Sequence, residues 1–189
     1  QTCALPISIR IIVPFAPGGG TDVTARVFGQ KFMEAFGQNV VVDNRPGAGG
    51  NIGTEMAARA SPDGHTLLMV VSSHSINVTL YKKVGYDPVK DFAPVSLVAM
   101  ATSILVAHPS APFATMRDLV ALAKARPGQL NYASAGNGTP QHLAMELFNT
   151  MAGIRLVHVP FNGGGPATAA AIGGQVQMLN SSLPSALTQ

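Results

Sequence analysis

Residues 9–22, IRIIVPFAPGGGTD, run from an apolar stretch through a glycine-rich loop into the beginning of a helical pattern. The stretch Ile9–Val13 is short and rich in β-branched residues, which predicts a buried strand. Val23, Val27 and Phe28 then share one face of a helix predicted over residues 22–36. The same order of strand, loop and helix recurs along the chain, and this alternation predicts an α/β protein with largely parallel sheets.

The remaining elements follow from apolar runs, helix caps and turn residues. Strands are predicted at residues 40–43, 66–71, 130–133, 156–159 and 176–179, with two strand candidates within 93–107. Helices are predicted at residues 51–60, 115–125, 140–151 and 166–172, where Thr115 with Asp118 resembles a capping box and Pro140 suits a first helical position. The order of strand, loop and helix changes over residues 92–108, which predicts that the chain passes there from one lobe to another. Lobe 1 is predicted at residues 9–101 and lobe 2 at residues 102–189.

The composition excludes several classes of protein. The 189 residues are 47% hydrophobic and 11% charged, which allows one compact domain or two small ones and excludes intrinsic disorder. The net charge is +3 and no four basic residues occur in a row, so we expect no nucleic-acid partner. The longest apolar stretch, residues 97–107, is much shorter than a membrane span. The one cysteine, Cys3, cannot form an internal disulfide.

The sequence lacks the motifs of common enzymes and cofactor sites. GAGGNIG at residues 47–53 lacks the third glycine of a dinucleotide fingerprint, and no P-loop or Gly-x-Ser-x-Gly elbow occurs. The five histidines do not show the His-x-x-x-His spacing of a zinc site. We therefore expect no catalytic residue, no metal and no cofactor. The alternative is an α/β enzyme acting on a carboxylated or phosphorylated metabolite, for which Asp22 and His142 are the acid–base candidates.

Four loops rich in glycine and small polar residues follow predicted strands and precede predicted helices, at residues 14–22, 44–51, 134–139 and 161–166. Ligands of open α/β sheets bind beyond the carboxyl ends of the strands, where such loops gather. Glycine permits close approach of backbone N–H groups, and a helix N-terminus favours negative charge. The loops together predict a cradle for a carboxylate or a phosphate, although any one of them alone is better explained as a tight turn.

Three side chains at or beside such loops each have two interpretations. Asp22 stands where it could cap the first helix, or it could accept a hydrogen bond from an amino or hydroxyl group of a ligand. His142, near the start of its helix, either directs a ring N–H at a bound anion or packs locally. His74, in the segment SSHSIN, has the same two interpretations.

Five segments together resemble a known family. They are IRIIVPFAPGGGTD, VVDNRPGAGGNIGTEMAARASPDGHTLL, YKKVGYDPVKDFAPVSLVA, LNYASAGNGTPQHLAMELF and VPFNGGGPATAAAIGGQVQM. They closely resemble the solute-binding receptors of tripartite tricarboxylate transporters, the Bug family, from Ile9 nearly to the end of the chain. The resemblance implies a two-lobed type II periplasmic-binding-protein fold with Rossmann-like lobes. It also implies a monomeric periplasmic receptor that closes on a small organic acid and delivers it to membrane subunits.

The resemblance assigns ligand-binding roles to residues of both lobes. Those of the first-lobe loop are Phe15, Ala16, Pro17, Gly18, Gly19, Gly20, Thr21 and Asp22, with Ser72 and His74 near the floor of the cleft. Those of the second lobe are Ser134, Ala135, Gly136, Asn137, Gly138 and Thr139, with Phe161, Asn162, Gly163 and Pro166 on the other side of the cleft and Ser181 near the ligand. His142, singled out above from its place near the start of its helix, completes the predicted ligand-binding set.

The chain departs from the family in three places. Ser181 stands where the family usually carries an acidic residue, which makes an amino-acid ligand less favoured. Members of the family are longer, so we expect the chain to be truncated at its C-terminus, with a first lobe that lacks its last strands and helices. Residues 1–8, QTCALPIS, do not resemble the family and lack the regions of a signal peptide.

Overall fold

The computed structural model describes residues 8–187. Cys3 and most of the segment predicted not to belong to the family lie outside the described residues. Lobe 1 contains a parallel sheet of order β2-β1-β3, formed by β1 (Ile9–Val13), β2 (Val40–Asn44) and β3 (Thr66–Leu68). Its helices are α1 (Gly20–Phe36), α2 (Asn51–Ala58) and α3 (Ser73–Leu80), and a short 3-10 turn (Ala48–Gly50) precedes α2.

Lobe 2 contains a mixed sheet of order β4-β7-β5-β6. Its strands are β4 (Ser103–Ala107), β5 (Asn131–Ser134), β6 (Val157–Pro160) and β7 (Met178–Ser182), and its helices are α4 (Met116–Ala125), α5 (Pro140–Ala152), α6 (Gly164–Ile172) and α7 (Leu183–Leu187). Strand β5 is parallel to β6 and β7, whereas β4 is antiparallel to β7. The α/β class and largely parallel pairing predicted from the sequence are therefore confirmed.

The central strands of both sheets are covered on both faces. In lobe 1 the successive residues Ile11, Ile12 and Val13 are all buried, as expected of a central parallel strand covered on two sides. In lobe 2 alternate residues of β5 enter different cores: Tyr132 packs with Leu119 and Met145, whereas Ala133 packs with the small residues of α6. The second face admits close packing because α6 is built largely from alanine and glycine.

Local signals place several helix ends as predicted. Thr115 and Asp118 form the reciprocal hydrogen bonds of a capping box at the start of α4. Thr139 caps α5 through its side chain, and Pro140 occupies the first helical position. Gly153 ends the same helix in the left-handed conformation, with φ of 60°.

Three predictions for secondary structure were wrong. Helix α3 lies in a segment predicted to be irregular, and β3 ends at Leu68 rather than at residue 71. Of the two strand candidates within residues 93–107, only Ser103–Ala107 is a strand. Residues 93–102 are exposed and, within the described part of the chain, pair with no strand. Their apolar composition predicted a strand, but composition alone does not show whether a neighbouring strand is available for pairing.

Candidate functional site

The loops that follow β1 and β6 meet backbone to backbone across the two lobes. The N–H of Ala16 donates to the carbonyl of Asn162 at 2.8 Å. A Cβ atom on Gly163 would lie 2.8 Å from the Ala16 nitrogen, and one on Gly165 would collide with the carbonyl oxygen of Pro17. We call residues 16–20 and 162–165 the glycine seam, because its close contacts leave no space for larger residues.

The other two predicted loops meet in the same way. A Cβ on Gly49, which has φ of +64°, would collide with the carbonyl oxygen of Asn137 in lobe 2. A Cβ on Gly136, with φ of +133°, would lie 2.9 Å from the carbonyl oxygen of Phe161. The structure thus brings all four glycine-rich loops together between the lobes, beside the first turns of α1, α5 and α6.

The first-lobe loop is held by the carboxylate of Asp22, which is 3% exposed. Its Oδ2 accepts from the Gly18 N–H and from Arg26 Nε, each at 3.0 Å, and its Oδ1 accepts from Asn44 Nδ2 at 3.0 Å. Asn44 also donates to the Phe15 carbonyl at 3.0 Å. The helix cap is Gly19, so the expectation that Asp22 caps α1 was wrong: Asp22 lies in the first turn and accepts a hydrogen bond from the residue before the cap.

Electrostatics keep Asp22 ionised. Burial by itself raises the pKa of this carboxyl group, but the hydrogen bonds from Arg26, Gly18 and Asn44 outweigh burial and lower the pKa below its usual value. The charge is balanced by the Arg26 guanidinium at 3.0 Å. The carboxylate therefore holds the glycine-rich loop against the first turn of α1 and against Asn44 on β2.

The second-lobe loop is held by hydroxyl groups. The Gly136 N–H donates to Ser134 Oγ at 3.1 Å, and Thr139 Oγ donates to the Gly136 carbonyl at 2.7 Å. Ser134 Oγ also lies 2.7 Å from His158 Nε2, within hydrogen-bond distance. Ser134 and Thr139 are almost fully buried, so their hydroxyl groups hold the loop from its protein-facing side.

Three stacked rings lie below this loop. His158 lies between Tyr132 and His142, with ring centroids 4.9 and 4.1 Å apart. Tyr132 donates to Glu146 Oε1 at 2.7 Å. Burial and the neighbouring His142 lower the pKa of His158 to about 4, and burial also lowers the pKa of His142. Both imidazoles are therefore neutral at pH 7.

His142 packs locally, as one of its two interpretations predicted. Its ring stacks on His158, and its Nδ1 accepts the Gly138 N–H at 3.3 Å. Sequence reasoning missed His158, which supports the same loop from the next strand. The one feature of the sequence that could have indicated this role is the position of His158 near the end of a predicted strand, immediately before Val159 and Pro160.

The remaining predicted residues differ in their burial and contacts. His74 stacks on Tyr86, and its Nε2 lies 2.9 Å from the Pro88 carbonyl. Ser181 is buried on β7 opposite Ile104. Phe15 is 5% exposed and packs in the core with Ile11 and Val13, so its side chain belongs to the interior of lobe 1. Exposed or half-buried members of the predicted set are Ala16, Pro17, Gly18, Gly20, Thr21, Ser72, Ala135, Asn137, Phe161, Asn162 and Pro166.

A polar cluster behind Gly49 was not predicted. Asn77, on α3, donates through Nδ2 to the Gly49 carbonyl at 3.0 Å and to Asn51 Oδ1 at 2.9 Å. Tyr86 donates its hydroxyl to the same Asn51 oxygen at 3.0 Å. These contacts join residues 26 to 35 positions apart, a distance over which no local pattern operates.

Metal binding and membrane insertion are the other two properties to consider for the described residues. Residues 8–187 contain no group of three or more His, Cys, Asp or Glu side chains placed to hold a metal ion. Across the same residues, no helix has the length and the apolar character needed to cross a membrane.

Curated relatives resemble the chain over most of its length. A protein encoded in the tcbD-tcbE intergenic region of Pseudomonas sp. (strain P51) is 41% identical, over 94% of this chain and 53% of that protein. BugT of Bordetella pertussis is 39% identical, over 95% of this chain and 56% of BugT. The chain thus spans about half the length of the curated relatives that it matches.

Solved structures agree with the fold. A structure described as a periplasmic transporter superimposes with a TM-score of 0.92 at 42% identity, over 96% of this chain and 61% of that chain. Rpa4515 of R. palustris with adipate gives 0.90 at 35%, over 94% and 60% of the two chains. MatC from Rhodopseudomonas palustris with bound malate gives 0.88 at 33%, over 97% and 63%.

The periplasmic binding protein BugD superimposes with a TM-score of 0.87 at 32% identity, over 96% of this chain and 60% of that chain, so the periplasmic-binding-protein fold expected from the sequence is confirmed. The model of the tripartite tricarboxylate transporter family receptor matches residues 24–189, most of the chain. The chain therefore belongs to the tripartite tricarboxylate transporter receptor family.

Proposed function

We propose that this protein captures a small organic carboxylate, a di- or tricarboxylate or a related acid, by closing its two lobes around it. In this proposal it is a monomeric periplasmic receptor that delivers the acid to the membrane subunits of a tripartite transporter. The observation that carries the proposal is the meeting of two glycine-rich loops from opposite lobes, each leading into a helix. The predicted lobes, residues 9–101 and 102–189, are the two bodies that would move.

The geometry of the loops suits an anion. Helices α1, α5 and α6 all begin at the cleft, and the first N–H groups of a helix have no partner within the helix. Their dipoles favour negative charge by about 0.3–1 kcal/mol each at exposed positions. Asp22 adds no unbalanced negative charge to the site, because Arg26 neutralises it. A carboxylate between the loops would thus gain hydrogen bonds from both lobes and favour the closed state.

The ligands of structural neighbours support this class of ligand. Rpa4515 was solved with adipate and MatC with malate, both of which are dicarboxylates. The uncharged Ser181 would supply no counter-charge for the ammonium group of an amino acid. The alternative of an enzyme loses its two candidate groups, because hydrogen bonds engage both oxygens of Asp22 and His142 is stacked beneath its loop.

Thermal unfolding followed by circular dichroism tests the proposal. We expect one acid from a panel of mono-, di- and tricarboxylates to raise the unfolding midpoint by several degrees, because a ligand at a hundred times its Kd stabilises the folded state by about 2.7 kcal/mol. A cooperative transition that no acid of the panel shifts would contradict the proposal.

A pair of glycine variants localises the binding site. Gly136→Val should reduce the affinity for that acid at least tenfold, because its Cβ meets the Phe161 carbonyl. Gly128→Val is the matched control: Gly128 also has a positive φ, of +75°, but a Cβ there meets no atom within 4 Å. Equal loss of affinity in both variants would show that backbone strain, and not the loop, accounts for the effect.

A further inference from the structure

The two stacked histidines behind the second-lobe loop hold opposite ends of it. His158 Nε2 lies 2.7 Å from Ser134 Oγ, where the loop begins, and His142 Nδ1 accepts the Gly138 N–H at 3.3 Å, near the end of the loop. The ring centroids of the two histidines are 4.1 Å apart. Because a ring nitrogen that accepts a hydrogen bond carries no proton, the contact with Gly138 requires an unprotonated Nδ1 on His142.

Lobe 1 fixes the position of Gly138. A Cβ on Gly138, which has φ of +78°, would collide with Asn77 Oδ1 and would lie 2.9 Å from Leu80 Cδ2. Both of these side chains belong to α3, so Gly138 is packed against lobe 1 when the two lobes are in contact. In that arrangement the Gly138 peptide has little room to turn, and its N–H stays directed at His142.

A proton and the Gly138 N–H compete for the same nitrogen of His142. Protonation converts Nδ1 from an acceptor into a donor, so two N–H groups would then face each other in place of one hydrogen bond. When the lobes separate, Gly138 loses its contact with α3, and its N–H can turn towards water. The protonated imidazole is therefore compatible with separated lobes and disfavours lobes in contact.

We propose that His142 makes the capture of the acid depend on pH: a proton on Nδ1 displaces Gly138 from α3, separates the lobes and weakens binding. The inference rests on the proposed function and adds regulation of the same site. By thermodynamic linkage, a proton that favours separated lobes lowers the affinity for an acid that favours closed ones, and the acid lowers the affinity for the proton by the same factor.

The titratable groups that act on His142 among the described residues come from three elements. Burial lowers the pKa of His142 below its ordinary value, and Glu146, one turn further along α5, opposes this effect. On β6, burial and the charge of His142 lower the pKa of His158 to about 4, so the first proton goes to His142. On β5, Tyr132 donates its hydroxyl to Glu146, and burial raises its pKa, so it stays neutral. The side chains of α3 that contact Gly138 carry no charge.

Binding measured at two pH values tests the inference. Isothermal titration calorimetry gives the affinities of the wild type and of His142→Asn for adipate, L-malate and citrate at pH 7.5 and pH 5.0. The Oδ1 of asparagine can accept the Gly138 N–H in place of Nδ1 and does not titrate, and the ionisation of each acid affects both proteins equally. We expect the wild type to lose at least about threefold more affinity than His142→Asn between pH 7.5 and pH 5.0. His142→Gln serves the same purpose should His142→Asn not fold.

His108→Asn is the matched control. His108 Nδ1 also accepts a backbone N–H, that of Ser110 at 3.2 Å. It follows β4, however, at the end of the lobe 2 strands opposite to the ligand loop. This variant should therefore show the same loss of affinity as the wild type, and circular dichroism at pH 5.0 checks that each protein remains folded.

The possible outcomes separate the inference from the proposed function. Equal losses in the wild type and His142→Asn, for an acid that binds at pH 7.5, would overturn the inference and leave the proposed function intact. A smaller loss in the wild type would show that the charge of His142 attracts the acid, which would also overturn it. A loss that persists in His142→Asn and disappears in His158→Gln would assign the effect to the other ring, with the same consequence. Failure of all three acids to bind at pH 7.5 would contradict both.

Discussion

At the scale of single residues, buried polar groups determine the shape of the ligand loops. Asp22 shows how: its carboxylate ties the loop before α1 to Asn44 on β2 and is balanced by Arg26 on the next turn. The side chain of Asp22 is 4% exposed, whereas that of Arg26 is 54% exposed. Asp22 therefore stabilises the loop mainly through the buried hydrogen bonds that its carboxylate accepts, and less through attraction to the solvated guanidinium of Arg26.

Asp22→Asn tests this role. The amide can accept fewer hydrogen bonds and places an N–H near donors, so we expect the free energy of unfolding to fall by about 1–3 kcal/mol. Urea unfolding at pH 7 measures the change. Glu34→Gln is the control, because Glu34 pairs with Lys31 on an exposed face and its loss should cost less than about 1 kcal/mol. Equal losses in the two variants would show that Asp22 acts as an ordinary surface charge.

At the scale of elements, strands β5 and β6 support the second-lobe loop through Ser134 and His158. The pKa of His158 is lowered to about 4 in the folded protein, below the ordinary histidine value of 6.5. Between these two values the unfolded chain binds more protons than the folded chain, so stability falls as the pH falls from 6.5 towards 4 and levels off below. His142 contributes in the same direction, because burial lowers its pKa as well.

We expect the wild-type protein to be less stable at pH 4.5 than at pH 7 by at least about 1 kcal/mol from His158 alone, since one pKa unit corresponds to about 1.4 kcal/mol. His158→Gln should reduce this pH dependence, because glutamine keeps a polar group near Ser134 and does not titrate. Urea unfolding at the two pH values measures the difference. His65→Gln is the control, because His65 is exposed beside Asp63. A pH dependence that survives in His158→Gln and disappears in His65→Gln would refute this assignment.

The elements also show what the sequence could predict. Helix α4 was predicted because Thr115, Asp118 and the following apolar spacing are local signals. Helix α3 was missed because SHSINVTL is short, and its Asn77 is held by contacts with Gly49 and Asn51 far away in the sequence. The glycine-rich loops were identified from composition, but the roles of His158 and Asn77 depend on neighbours that only the fold brings near. The assignment of ligand-binding residues remains a prediction.

At the scale of the whole molecule, the two lobes meet through backbone contacts that only glycine allows. Such contacts are sensitive to a single added methyl group because backbone atoms cannot rotate away as side chains do. The Ala16–Asn162 hydrogen bond adds one directional link to this glycine seam. We therefore expect the contact between the two lobes to depend on the glycines of the glycine seam. Replacing one of them should have little effect on the stability of either lobe.

Gly165→Ala separates closure from folding. Gly165 is the second residue of α6, a position that alanine can occupy without cost to the helix, yet its Cβ would collide with the Pro17 carbonyl of the other lobe. We expect unchanged or slightly higher stability of lobe 2, a larger radius of gyration in small-angle X-ray scattering, and at least tenfold weaker binding of any carboxylate that the wild type binds. In Gly173→Ala, at the end of the same helix, the nearest atom to the new Cβ is the Ala169 carbonyl oxygen at 3.4 Å, so this control should change neither the dimensions nor the affinity. Wild-type dimensions and affinity in Gly165→Ala would mean that the lobes do not need the glycine seam to close.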